Sequence, residues 1–512
     1  MADAPERTGA TLLRRYTGSM RRSAICASLL LFGAAGQQPS ATVQEIILDA
    51  GAISRPFPHY WEQMFGSGRA TLSLRESYRR DLRMVRQVTA MQYVRFHAIL
   101  DDDVGVYSED AEGRPIYNWS YVDQIYDGLL ENGVRPFVEL SFMPSKLAAS
   151  QEPHPFWYRP LPSPPINYQR WEELIYRFAA HLVERYGAAE VEQWYFEVWN
   201  EPNIDFWSGR PKQATYFELY DHAARAIKRA GSKLRVGGPA TAQAAWIPAM
   251  IAHAVEKNVP LDFVSTHVYA NDSAEDVFGT HEQISRRDMV ARAVRKVFEQ
   301  VKASPRPQLP IIWSEYNASY KNEIEVTDSA FMGPWLANNI SMCDGLATSM
   351  SYWTFSDVFE EQGVVKTPFY GGYGLIAEGG IPKAAYQAFA MLHRLGEQRI
   401  QPELDNALAT KRADGTLAVA VWNYAAPSES GAPVEIHLRV NHWDGSPRIR
   451  AEIVDSEHGS ALAAWGAMGS PQFPTQQQFT ALREAAAGTQ KLDGPSFVLP
   501  AHGLALVEIQ PR

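Results

Sequence analysis

Two glutamates open the chemistry: Glu201 in WYFEVWNEPN (194–203) and Glu315 in PIIWSEYN (310–317). Each closes an apolar, β-rich run. A glutamate in that position is most often a solvated cap. Asn200 beside it and Pro202 behind it make that reading poor for Glu201, because the proline stops any regular structure there. Two carboxylates facing one another are what cleavage of a glycosidic bond requires. One protonates the leaving oxygen, and the other stabilises or traps the positive anomeric carbon. Phosphoryl transfer would require Mg²⁺ ligands and a Gly-rich phosphate loop, and the sequence shows neither. His97 and His267 have no third ligand spaced with them, so neither a catalytic zinc nor another cofactor is expected.

The elements that must position these groups are eight short apolar runs. They are WEQMFGSG (61–68), YVRFHA (93–98), RPFVELSF (135–142), WYFEVWNEP (194–202), RVGGPA (235–240), FVSTHVYA (263–270), PIIWSEYN (310–317) and MSYWTF (350–355). Helical patterns such as Tyr168–Tyr186 and Thr215–Ala230 lie between them, with apolar residues at 3–4 spacing. Strands alternating with helices predict parallel βαβ units, and eight of them predict a (β/α)8 TIM barrel over residues 56–392. Such a barrel works at the C-terminal ends of its strands. Those ends carry His97, Phe142, Asn200, Glu201, His267, Tyr269, Glu315 and Trp353. Strands four and seven lie across the barrel from each other, so Glu201 and Glu315 can flank a sugar. Glu139 and Glu197 fall inside their strands and are expected as internal barrel partners.

With 512 residues the chain exceeds one compact core. After Leu395 come LAVAVWNYA (417–425), VEIHLRV (434–440), RIRAEIVD (448–455) and ALVEIQ (505–510), short strands without helices between them. They predict an accessory antiparallel β-sandwich from residues 393–512, joined by residues 41–55 with the strand-like ATVQEIILDA (41–50). Residues 1–40 predict a secretory leader: Met20-Arg21-Arg22, a short apolar run to Gly36, and a small-residue exit. The run is too short to span a bilayer. Export to the periplasm or beyond follows if it is a signal, and a cytoplasmic place if it is not. Of Cys26 and Cys343, cleavage would leave one, so no intramolecular disulfide is expected. A net charge of −10 without a basic run argues against nucleic acid or an anionic membrane as partner. The sequence leaves oligomeric state, including a homo-oligomer, open.

Seven separated stretches carry a resemblance: MFGSGRA (64–70), VRFHAILDDDVGVY (94–107), FVELSFMP (137–144), THVYA (266–270), SEYN (314–317), SYWTFSDVFEE (351–361) and PFYGGYGLI (368–376). In this order they resemble glycoside hydrolase family 39, within the clan marked by Asn-Glu-Pro after strand four, over residues 43–395. That family holds β-xylosidases and α-L-iduronidases. The resemblance implies a retaining enzyme with Glu201 as acid/base and Glu315 as nucleophile. It implies that Asn200 bonds the sugar 2-hydroxyl and that His97 and His267 contact hydroxyls or orient the nucleophile. Trp353 would floor the sugar site, Glu360 and Glu361 would bind xylose hydroxyls, Tyr269 would bond Glu315, and Phe142 would join the substrate-binding set. Glu201 should have a raised pKa, because the Glu315 charge disfavours its ionisation.

A terminal β-D-xylose on an oligosaccharide or glycoside is the carbohydrate this implies. A uronide, glucoside or arabinoside substrate, internal cleavage of a polysaccharide, and an inactive sugar-binding barrel are the competing readings. A uronate would need a Lys or Arg, for which Lys366 is the candidate after FEE, and two carboxylates at 360–361 would repel it. The long Pro-rich loop (144–168) and FEE would wall off one end of the site if the enzyme acts on chain ends.

Overall fold

The computed structural model describes residues 42–511. The leader expected over residues 1–40 lies outside them. No helix among the described residues is long and apolar enough to cross a membrane.

All eight expected barrel strands form: β1 (Met64–Gly66), β2 (Tyr93–Phe96), β3 (Arg135–Glu139), β4 (Tyr195–Glu197), β5 (Arg235–Thr241), β6 (Phe263–Tyr269), β7 (Ile311–Asn317) and β8 (Ser349–Tyr352). Every neighbouring pair is parallel, and the barrel closes through pairing of β8 with β1. The helix expected at Tyr168–Tyr186 covers those residues, with the Asn167 side chain accepting from Arg170 N at its start. The helix expected at Thr215–Ala230 starts one turn earlier, at Lys212, and ends at Ala230 as expected.

The period-two alternation of these strands decides what faces where. Val94, Phe96, Val138, Phe196, Val236, Val264 and Trp313 belong to the large core formed with the helices. The alternate positions face the barrel axis. Met64, Phe137, Phe263 and Ile312 pack together, with Tyr93 and Tyr195 against them, as an apolar plug at the strands' N-terminal ends. One step further along β2, β3 and β4 come Arg95, Glu139 and Glu197, all buried. One step beyond lie His97 and Ser141. The barrel is therefore filled in layers: oily, then ionic, then chemical.

The second part is built from two sheets, as expected of a sandwich. The larger runs Ser54–Pro56, Gln398–Ile400, Ala407–Lys411, Leu417–Trp422, Leu504–Gln510, Arg448–Val454 and Gln490–Asp493, all antiparallel. The smaller holds Thr42–Asp49, Val434–Asn441 and Ser496–Leu499. Ile46, Leu48, Val419, Ile436, Phe497 and Val507 from both sheets share one core. Two details depart from the sequence reading. Thr42–Asp49 pairs parallel to Val434–Asn441, because it arrives from the other end of the chain and no hairpin constrains it. Helices Leu462–Ala467 and Gln476–Ala487 interrupt the strands, the second opened by a Thr475/Gln478 capping box.

Candidate active site

β4 ends at Glu197, earlier than its apolar run suggests. Trp199 and Glu201 adopt positive φ (73° and 43°), which an extended strand cannot contain. Asn200 and Glu201 therefore sit on a sharp turn at the rim. The Glu201 amide donates to Ala240 O at 2.8 Å, which ties this turn to the end of β5.

Beneath the rim, Arg95 is fully buried and joins four partners. Its Nε donates to Glu197 Oε2 (2.6 Å), and its Nη1 to Glu315 Oε1 (2.6 Å). Its Nη2 donates to Asn200 Oδ1 (2.9 Å) and lies 2.8 Å from Glu139 Oε2. One guanidinium thus fixes three carboxylates and an amide. Burial alone would raise Glu139, but Arg95 and His97 outweigh it and hold the carboxyl below its usual range. Glu197 moves the other way, because burial outweighs Arg95. Both were expected as internal partners. The sequence reading did not name Arg95, although VRFHA places it on the same face as His97, two residues away. A cation alternating inward in an apolar strand is the signal that could have found it.

Glu315 ends its side of the network with a second donor: the Tyr269 hydroxyl donates to its Oε2 at 2.7 Å, the expected contact. Burial first, then the Glu315 charge, pushes the tyrosine well above its usual range, so it remains a donor. Across the cavity, Glu201 Oε1 lies 3.0 Å from His267 Nδ1. Oxygens of Glu201 and Glu315 and a nitrogen of His267 all lie within 4.8 Å of one another. Burial pushes the Glu201 carboxyl well above its usual range, and the Glu315 charge adds to the shift. The sequence reading has the direction right; the larger cause is burial.

His267 is fully buried behind Glu201. Burial first, then the Arg95 and His97 charges, holds it well below the usual histidine range, so it is neutral. His97 shifts upward: burial opposes its charge, but Glu139, 2.7 Å from Nδ1, prevails. The other His97 nitrogen lies 3.6 Å from Glu361 and 3.8 Å from Glu315.

The cavity above these groups measures about 390 Å³. His97, Asn200, Glu201, Tyr269, Glu315, Trp353 and Glu361 line it, all anticipated. Trp353 packs against Gly66 of β1, where a Cβ would stand 2.2 Å from its ring. Three expected contacts stand behind the wall instead. Phe142 packs edge-on to Trp199 and 6.2 Å from His97, so it supports the histidine. His267 faces Glu201. Glu360 turns outward to Arg75 (2.7 Å) and Arg69 (3.3 Å). The FEE carboxylates therefore do not act as a pair. Glu361 alone faces the cavity, and burial pushes it up to about 8, which keeps it a neutral acid at pH 7. Its Oε1 is buried without a hydrogen-bond partner, free for a ligand hydroxyl. The charge repulsion invoked against a uronate loses its basis: one carboxylate is paired and the other is neutral. Lys366 is exposed and does not line the cavity.

Phe156, Ile204, Phe206, Ala242, Gln243, Asp272, Tyr320, Gln362 and Tyr373 complete the lining. Most come from loops, where no periodic pattern marks them. The Pro-rich loop meets FEE directly: Trp157 N–H donates to Glu361 O at 2.8 Å. The loop after β8 is anchored from below by buried Lys383, 2.6 Å from both Asp328 and Asp357.

Among the described residues, two clusters have donor atoms close enough to suggest a cation site. In one, His59 and His393 both bond Glu62, at 2.6 and 2.8 Å, near the start of β1. The other is Glu201–His267–Glu315, where Arg95 already supplies the positive charge.

Two opposed carboxyl groups on the rim of a (β/α)8 barrel, one hydrogen-bonded to a guanidinium and one whose pKa burial pushes well above the usual range, are the equipment of an O-glycosyl hydrolase. The family model for glycosyl hydrolases family 39 matches residues 44–498. A β-xylosidase of Geobacillus stearothermophilus is 35% identical over 472 residues, 89% of this chain and 93% of that protein. The human α-L-iduronidase is 23% identical over 81% of this chain and 67% of its own length. A crystal structure of a monomeric β-xylosidase from Caulobacter crescentus CB15 superposes with a TM-score of 0.82 at 33% identity, covering 92% of this chain and all of that one. The chain belongs to glycosyl hydrolase family 39.

Proposed function

We propose that the enzyme removes terminal β-D-xylose from oligosaccharides or glycosides with retention of configuration. Glu315 attacks the anomeric carbon while Glu201 gives its proton to the leaving oxygen. Glu201, now a base, activates the water that releases the sugar. The observation that carries this reading is that an oxygen of Glu201 and an oxygen of Glu315 lie within 4.8 Å of each other, a separation on the side of retaining enzymes (about 5–5.5 Å) and not of inverting ones (about 6.5–9.5 Å). Arg95 and Tyr269 hold Glu315 as the attacking carboxylate, and the neutral Glu361 acid offers a hydroxyl partner. Loss of the Glu315 charge on glycosylation lowers the cost of ionising Glu201, which suits its second role.

The β-xylosidase relatives support xylose as the sugar, and so does the lining: among the described residues no Lys or Arg faces the cavity to pair a uronate. The seal between the Pro-rich loop and FEE supports action at chain ends. Export rests on the leader pattern of residues 20–36 alone.

A panel of p-nitrophenyl glycosides, with xylo-oligosaccharides beside it, tests the substrate. The β-D-xyloside is expected to give the highest kcat/KM, the β-D-glucuronide essentially none, and xylotetraose to shorten by one xylose at a time. Faster turnover of an arabinoside, glucoside or uronide overturns the sugar, and internal cleavage products overturn the chain-end action.

A further inference from the structure

The groups behind Glu201 form a chain whose proton placement can be read from geometry. Glu197 Oε2 is ion-paired to the Arg95 guanidinium at 2.6 Å, which assigns the charged carboxylate, an acceptor at both oxygens, against the upward pull of burial. Its other oxygen accepts from Ser314 Oγ, also at 2.6 Å. A serine has one hydroxyl proton, and this bond uses it. Ser314 Oγ can then only accept from its second neighbour, His267 Nε2, at 3.1 Å. Nε2 therefore carries the imidazole proton. A neutral imidazole has only one, so Nδ1 presents a bare lone pair to Glu201 Oε1, 3.0 Å away.

We propose that Ser314 is a positioning residue that sets the His267 tautomer, and that the bare Nδ1 keeps Glu201 protonated for its acid step. A protonated Glu201 donates its Oε1 hydrogen to that lone pair. An ionised Glu201 meets the lone pair with no hydrogen between them, so the charged form is disfavoured. After the leaving group takes the proton, the same contact makes Glu201 a more avid base toward water. Other charged groups act on Glu201 as well: Glu315, Asp272 and Glu361 disfavour its ionisation, and Arg95 favours it. Around His267 stand Arg95, His97 and Glu315, the last 3.6 Å from Nδ1. None of these touches Nε2, so the Ser314 bond is the contact that selects the tautomer.

The proposal rests on Glu201 being the acid/base, but its first test needs no substrate. In protein labelled with ¹⁵N-histidine, with the His267 signals assigned by their loss in His267→Gln, Nε2 should read as protonated and Nδ1 as bare. The reverse pattern, or a charged ring at pH 7, overturns the proposal whatever the enzyme cleaves. The second test is the pH profile of kcat/KM. In Ser314→Ala, Nε2 loses its acceptor and Nδ1–H can turn to a Glu201 carboxylate. The alkaline limb should then move down by about one pH unit, the scale of one hydrogen bond to a charged group. Ser314→Thr keeps the hydroxyl and should restore the wild-type limb. An unmoved limb in Ser314→Ala, or an equal shift in Ser314→Thr, overturns the role of the hydroxyl.

Discussion

Glu201→Ala lowers kcat/KM for xylobiose by about 10²–10⁴-fold, the usual worth of a positioned proton donor. It lowers kcat/KM for 2,4-dinitrophenyl β-xyloside far less, because dinitrophenolate departs without a proton. The split between the two substrates is the signature; a variant that merely misfolds loses both alike. The pH profile carries the same information. On the proposed mechanism Glu201 works in its protonated form, and its folded-state pKa is raised by burial and by Glu315. Wild-type kcat/KM should therefore persist on the alkaline side beyond the ordinary carboxylate range, then fall as pH rises through that raised pKa. Glu201→Ala should lack this alkaline limb with the dinitrophenyl substrate. A limb that survives the substitution would assign the proton to another group.

Arg95→Met is the second large effect, and it strikes stability and activity together. The guanidinium is fully buried and lies within 2.6–2.9 Å of Glu139, Glu197, Asn200 and Glu315. Removing it leaves three carboxyls in the barrel without their cation. Breaking a buried ion network by deleting one partner costs about 3–5 kcal/mol. The remaining carboxyls will take up protons to escape the charge, and a protonated Glu315 cannot attack. Urea unfolding should show the lost stability, and kcat/KM should fall at least about 10³-fold with every leaving group, since attack by Glu315 belongs to the glycosylation step whatever group departs. That uniform loss distinguishes it from Glu201→Ala. A stable Arg95→Met variant with wild-type turnover would mean that the ionic layer plays no part in holding the nucleophile.

What the sequence made legible follows the reach of its periodic signals. Eight apolar runs alternating with helical patterns implied the barrel, and each strand formed within its run or one residue beyond it. The rim residues, from His97 to Trp353, were legible because the strand-end rule points to them; period two alone would put Glu315 on the side of Trp313, and β7 shifts register after Trp313. Arg95 did not stand out, although its alternation with His97 was in plain view, since a single cation in an apolar strand has no partner at a fixed spacing in sequence. Phe156, Phe206, Tyr320 and Tyr373 stand on loops, whose paths depend on tertiary contacts such as Trp157 with Glu361. The FEE pair misled for a related reason: adjacency in sequence says nothing of direction, and Glu360 and Glu361 point opposite ways. The parallel pairing of Thr42–Asp49 was hidden because its partner lies nearly 400 residues away, at Val434–Asn441.

The central claim is that Glu315 forms the bond to the sugar and Glu201 moves the proton. Product configuration in azide tests it most directly. In Glu201→Ala the glycosyl-enzyme still forms on the α face, and azide enters where the base-activated water would have, giving the β-xylosyl azide. In Glu315→Ala the vacated nucleophile site admits azide directly to the substrate, giving the α-azide. Formation of β-azide by both variants, or by Glu315→Ala alone, would contradict the account.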